Sequence, residues 1–84
     1  MNERIRQLRE QAEEWVCKNY PDAMDDNDEF HAQTMEKFAE LIVAECLKIA
    51  KTREDEFESA GLLDESNAVG NVAYRISRQF GVEQ

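Results

Sequence analysis

The decapeptide KFAELIVAEC, residues 37–46, decides the fold, because seven of its ten residues are apolar or small and it contains no Gly or Pro. It sits in a chain of 84 residues that is 35% charged. On a wheel of 100° per residue, Phe38, Ile49, Ile42, Cys46, Ala39, Ala50 and Val43 form a continuous arc, edged by Leu41 and Leu47. The arc covers roughly two thirds of the circumference, well beyond the ~100° stripe of an ordinary surface helix. Glu40, Ala44, Lys48 and Lys51 form the narrow wet face. A helix this apolar must be contacted from at least two sides.

Working outward, this helix is expected over residues 29–59, with Asn27 or Asp28 as its cap and Gly61 as its stop. A first helix is expected over 2–19. Ile5, Leu8, Ala12, Trp15 and Val16 make its stripe and Asn2 its cap. Tyr20-Pro21 ends it, since the residue before proline is pushed out of the α region. A third helix is expected over 66–80, capped by Asp64 or Ser66. Its stripe is Val69, Val72, Ala73, Ile76 and Phe80, and Gly81-Val82 closes it as a Schellman motif. No stretch reads as a strand. The expected fold class is all-α: one three-helix domain, residues 1–84, with a long central helix, assembled as an antiparallel helical dimer or bundle.

The dimer is expected because a helix of about 31 residues, ~46 Å long, overruns a domain with a radius of gyration of ~12 Å. A second copy would cover the flank left bare, with Leu41, Val43, Glu45, Leu47 and Ala50 as self-association residues. The rival arrangement is a helix that kinks or ends near Lys51 to Arg53 and closes a monomeric core. Glu45 falls inside the arc, so its carboxylate must be paired or reach the edge.

Ten Lys and Arg against 19 Asp and Glu give a net charge of −9. That argues against direct nucleic-acid binding and against an anionic membrane surface, both of which need a basic face. It suits a protein partner with a basic surface. Two acidic groups are the candidate partner-binding patch: Asp22, Asp25, Asp26, Asp28 and Glu29 in the first break, and Glu54, Asp55, Glu56 and Glu58 around Arg53. The first group does not fit a calcium loop, because Phe30 interrupts the series and no Gly supplies the turn. Cys17 and Cys46 fall in helical patterns without a Cys-x-x-Cys pair and read as reduced core residues. His31 is the only histidine; a zinc site would need it with both cysteines, and Cys46 lies more than ~20 Å along the same helix. No metal or cofactor is expected. No Ser/His/Asp set, phosphate loop or nucleophile elbow appears, so a non-enzymatic role is expected. MNERIRQLREQ carries no apolar h-region, and no apolar run approaches ~20 residues, which together predict a soluble intracellular protein.

KFAELIVAEC, with MNERIRQL at residues 1–8 and QFGVE at residues 79–83, resembles a loose group of small proteins encoded by tailed bacteriophages. The matching pieces cover about a quarter of the chain. The resemblance implies phage origin and the cytoplasm of a host cell; it carries over no functional residues. Three functions are compatible with these features. The first is a phage accessory protein of host takeover, an acidic inhibitor of a host nucleic-acid-handling or defence factor. The second is a self-assembling structural or assembly protein. The third is an oligomer that sequesters a small ligand.

Overall fold

The structure is a computed structural model and describes residues 2–82, the side chain of Met24 apart. Met1, Glu83 and Gln84, which the expected domain and the phage-like ends include, lie outside the described residues. The fold is all-α, with no strand among the described residues. Helix α1 spans Glu3–Asn19, a 3-10 turn spans Pro21–Asp25, α2 spans Asn27–Ser59 and α3 spans Leu63–Phe80. The central helix packs against the other two. It runs unbroken through Lys51–Arg53, so it does not end early there.

The chain divides into two compact units, Met1–Ile42 and Val43–Gln84, each taking one half of α2. In the first unit α1 starts at Asn2, whose Oδ1 accepts the Arg4 N–H at 2.7 Å. That satisfies one of the four unpaired amides of the first turn. The helix stops before Pro21, with the Tyr20 N–H donating to the Val16 carbonyl at 2.8 Å. Leu8, Ala12 and Val16, four residues apart, are its buried line. Ala23 of the 3-10 turn and Thr34 of α2 are also buried, and Phe30, Phe38 and Leu41 are half-buried.

Asp26, rather than Asn27 or Asp28, caps α2: its Oδ1 accepts the N–H of Asp28 at 3.0 Å and of Glu29 at 3.2 Å. All three residue types can cap. The proline-led 3-10 turn fixes which is used, because it leaves Asp26 extended and the chain helical from Asn27.

Thr34 is 7% exposed and its hydroxyl has no hydrogen-bond partner. A buried hydroxyl left unpaired costs about 1–3 kcal/mol. Thr34→Val keeps the shape and removes the group, so the variant should be more stable by about 1 kcal/mol. Urea denaturation would show a higher midpoint at unchanged slope; an equal or lower midpoint would mean that the hydroxyl is satisfied in solution.

The second unit is a helical hairpin. Gly61, at φ +78°, turns the chain. The Leu62 N–H reaches the Phe57 carbonyl at 2.9 Å and the Gly61 N–H reaches that of Glu58 at 3.0 Å. These are the two bonds of a Schellman motif. The motif hands the chain straight into α3, which therefore begins at Leu63 and not at Asp64 or Ser66. Its N-cap, Leu62, has no capping side chain. Ser66 is spent differently: it is buried, and its hydroxyl donates to the Glu54 carbonyl at 3.2 Å. Gly70 also meets Glu54; a Cβ built there would lie 3.1 Å from the carboxyl carbon. Ser66, Gly70 and fully buried Ala73 thus form a line of small residues against α2, whose Leu47 is 1% exposed. Gly81, at φ +66°, closes α3, and the Val82 N–H donates to Ser77 at 3.2 Å.

Candidate functional site

The two acidic groups fall in different units and differ in chemistry. Asp22, Asp25, Asp26, Asp28 and Glu29 are all exposed. Asp26 holds the α2 cap, and Glu29 accepts from the Gln33 amide at 2.9 Å. No lysine or arginine occurs between Lys18 and Lys37. No ion pair to Asp22, Asp25 or Asp28 occurs among the described residues. The carboxylates crowd the start of α2, where the free amides and helix dipole favour negative charge.

The second group carries its own counter-charges. Lys51 lies 3.8 Å from Glu54 and 3.4 Å from Asp55, and Arg53 pairs with Glu56 at 2.8 Å. Asp55 first, then Glu54, raise the Lys51 ammonium above the ordinary lysine range. This favourable contribution is present at neutral pH and is lost only as pH climbs through that raised value. Glu58 is exposed and Glu54 half-buried. Of the two groups, residues 22–29 are the one whose charge is not met by cations of its own turn.

Aromatic residues flank the acidic turn within the first unit. The Trp15 and Tyr20 rings lie 5.6 Å apart, and the Lys37 ammonium sits 4.4 Å from the Trp15 ring centre. Trp15, Tyr20, Gln33, Glu36, Lys37 and Glu40 line a surface hollow. Trp15, on the expected core stripe, is only half-buried. His31 is exposed, and among the described residues no group of three or more His, Cys, Asp or Glu is placed to hold a metal ion.

Of the residues expected to self-associate, Leu47 is consumed in the hairpin core, while Leu41, Val43, Glu45 and Ala50 are half-buried. Cys17 and Cys46, expected in the core, are both exposed. Cys17 follows the buried line of α1 by one position and so points away from it. Cys46 belongs to the arc, but α3 meets α2 through Leu47 and Glu54 and leaves Cys46 outside. Among the described residues no helix is long and apolar enough to cross a membrane. Compared with protein-family models, curated proteins and solved structures, the chain matches none.

Proposed function

We propose that this is a non-enzymatic phage accessory protein that acts in the host cytoplasm by binding a host protein. The contact is made by the acidic turn at residues 22–29, and the target presents a basic surface of the kind that nucleic-acid-handling or defence factors carry. The observation that carries this reading is the exposed run of carboxylates without a lysine or arginine between Lys18 and Lys37. The phage assignment rests on the sequence resemblance. Charge of one sign on a fixed turn steers and orients an encounter more than it sets final affinity. Trp15 and Tyr20 provide apolar contact area beside the charge, as interface anchors do.

The test neutralises Asp22, Asp25 and Asp28 to Asn together and leaves the capping Asp26 intact. Tagged native and triple-variant chains are used to capture proteins from a bacterial lysate, and the captured set is washed at rising salt. Three rim charges at about 0.2–1 kcal/mol each amount to about threefold to a hundredfold in affinity. The native chain should hold basic proteins at low salt and release them as the screening length shrinks from ~8 Å toward ~3 Å. The variant should lose the same proteins while keeping native helical content. An identical captured set, with identical salt release, would remove the acidic turn from the function.

A further inference from the structure

The α2–α3 hairpin has an apolar face that the described residues of its own unit cover only in part. α2 meets α3 through Leu47 and Glu54; α3 meets α2 through Ser66, Gly70 and Ala73. Stepping back along the wheel from those contacts reaches Cys46, Ala50 and Phe57 on α2, and Val69, Val72 and Ile76 on α3. The two helices are right-handed and run in opposite directions, so both sets emerge on the same side of the hairpin. Val72 is 57% exposed and Phe80, at the end of the same stripe, 63%. Cys46 is exposed, and Ala50, Phe57, Val69 and Ile76 are half-buried.

We propose that this face pairs with the same face of a second copy, so that two hairpins form an antiparallel four-helix arrangement about a two-fold axis along the hairpin. Three observations select a second copy as the occupant.

The first is shape. Glu54 touches both Ser66 and Gly70. Counting along the antiparallel pair from there sets Ala50 level with Val72, and Cys46 level with Ile76. A two-fold along the hairpin keeps those levels and lays α3 of one copy over α2 of the other. The branched side chains of α3 then meet the small residues of α2, twice over. That is self-complementary packing of ridges into grooves, and each helix lies antiparallel to its neighbours.

The second is area. Helices of about 17 residues are ~26 Å long, and two lie ~20 Å across. The projected footprint is about 500 Å², and interdigitating side chains raise the accessible area toward the ~800 Å² per partner of a standard interface.

The third is need. The only buried apolar residues of this 42-residue unit are Leu47 and Ala73 among those described. Helical units near ~40 residues usually need oligomerisation or another staple. A second copy supplies such cover without any other partner, at a concentration set by the chain itself.

The test is the native mass by light scattering across a wide range of concentration, for the native chain, Val72→Asp and Tyr74→Asp. Tyr74 is 52% exposed but lies off the face, where its hydroxyl receives a bond from Arg78. The expected result is twice the chain mass for the native protein and Tyr74→Asp, and the single mass for Val72→Asp. In a Cys17→Ser background, maleimide labelling of Cys46 should slow at least tenfold as concentration rises through the dimer range. That readout stands even if Val72→Asp unfolds. A native monomer at every concentration, a dimeric Val72→Asp of native helicity, or a labelling rate independent of concentration would each overturn the proposal. In the first case the face is left for a different protein.

Discussion

Leu47→Ala should be the most damaging single truncation in the chain, lowering stability by about 3 kcal/mol within the 2–5 kcal/mol span of buried Leu→Ala changes. Leu47 is 1% exposed and, with Val16, is one of the two largest fully buried side chains among the described residues. Its removal costs the transfer energy of the lost methyl groups and leaves a void that surrounding helices fill only in part. The hairpin has little else: its other buried apolar residue is Ala73, which cannot move in to compensate. Native stabilities lie near 5–15 kcal/mol and small domains sit at the low end, so about 3 kcal/mol is a large share of the total. Thermal unfolding followed by circular dichroism should show a midpoint lower by more than ~10 °C. A shift of only a degree or two would mean that Leu47 is buried by mobile contacts.

Gly70 should separate two substitutions of opposite sign. Gly70→Leu should destabilise by about 2–3 kcal/mol, since a branched side chain placed in the line of Ser66, Gly70 and Ala73 pushes α3 away from α2. Gly70→Ala should be mildly stabilising, by about 0.5 kcal/mol, because a glycine inside a helix costs about 1 kcal/mol relative to alanine. The three atoms nearest the added methyl all belong to the Glu54 carboxylate, at 3.1–3.2 Å. That group is the far end of a flexible side chain and can swing while staying near Lys51, which lies 3.8 Å away. Denaturant midpoints for the pair check both signs together. If alanine were as harmful as leucine, the helices would be in backbone contact at Gly70, and Glu54 would be fixed.

The helix ends were largely readable from the residues, because each rests on local chemistry. Asn2 supplies a capping oxygen, Pro21 forbids continuation, and Gly61 and Gly81 adopt positive φ at little cost. Two starts were displaced, for identifiable reasons. Asp26, Asn27 and Asp28 are three adjacent capping residues, and only the 3-10 turn before them chooses among them. At α3, the Schellman turn delivers helical backbone three residues before Ser66, freeing that hydroxyl to bond Glu54. The wide arc of α2 was legible as a demand for more than one contact. Burial falls only at its two ends: Phe38 and Leu41 are half-buried in one unit, and Leu47 is buried with Val43 and Ala50 half-buried in the other, while Ala39, Ile42, Cys46 and Ile49 in the middle of the arc are exposed. Periodicity alone cannot divide such an arc. It therefore assigned Leu47 to a partner and Cys46 to the core, where burial places Leu47 inside and Cys46 outside. The acids of residues 22–29 were legible as charge. The absence of Lys and Arg between Lys18 and Lys37 was already in the residues; what the structure adds is that Glu54, Asp55 and Glu56 are paired with Lys51 and Arg53.

The Gly61 connection also governs how quickly the second unit can form. Only residues 60–62 separate α2 from α3, so bringing the helices together closes a very short loop and forfeits little chain entropy. Contacts such as Ser66 to Glu54, twelve residues apart, are made as soon as the turn is made. Chains dominated by such local pairings fold in microseconds to milliseconds. The hairpin can thus emerge within a fraction of the time that synthesis of the next few residues takes, at ~5–20 residues per second. For the proposed dimer, meeting a second copy, which depends on concentration, is then the slow step of assembly.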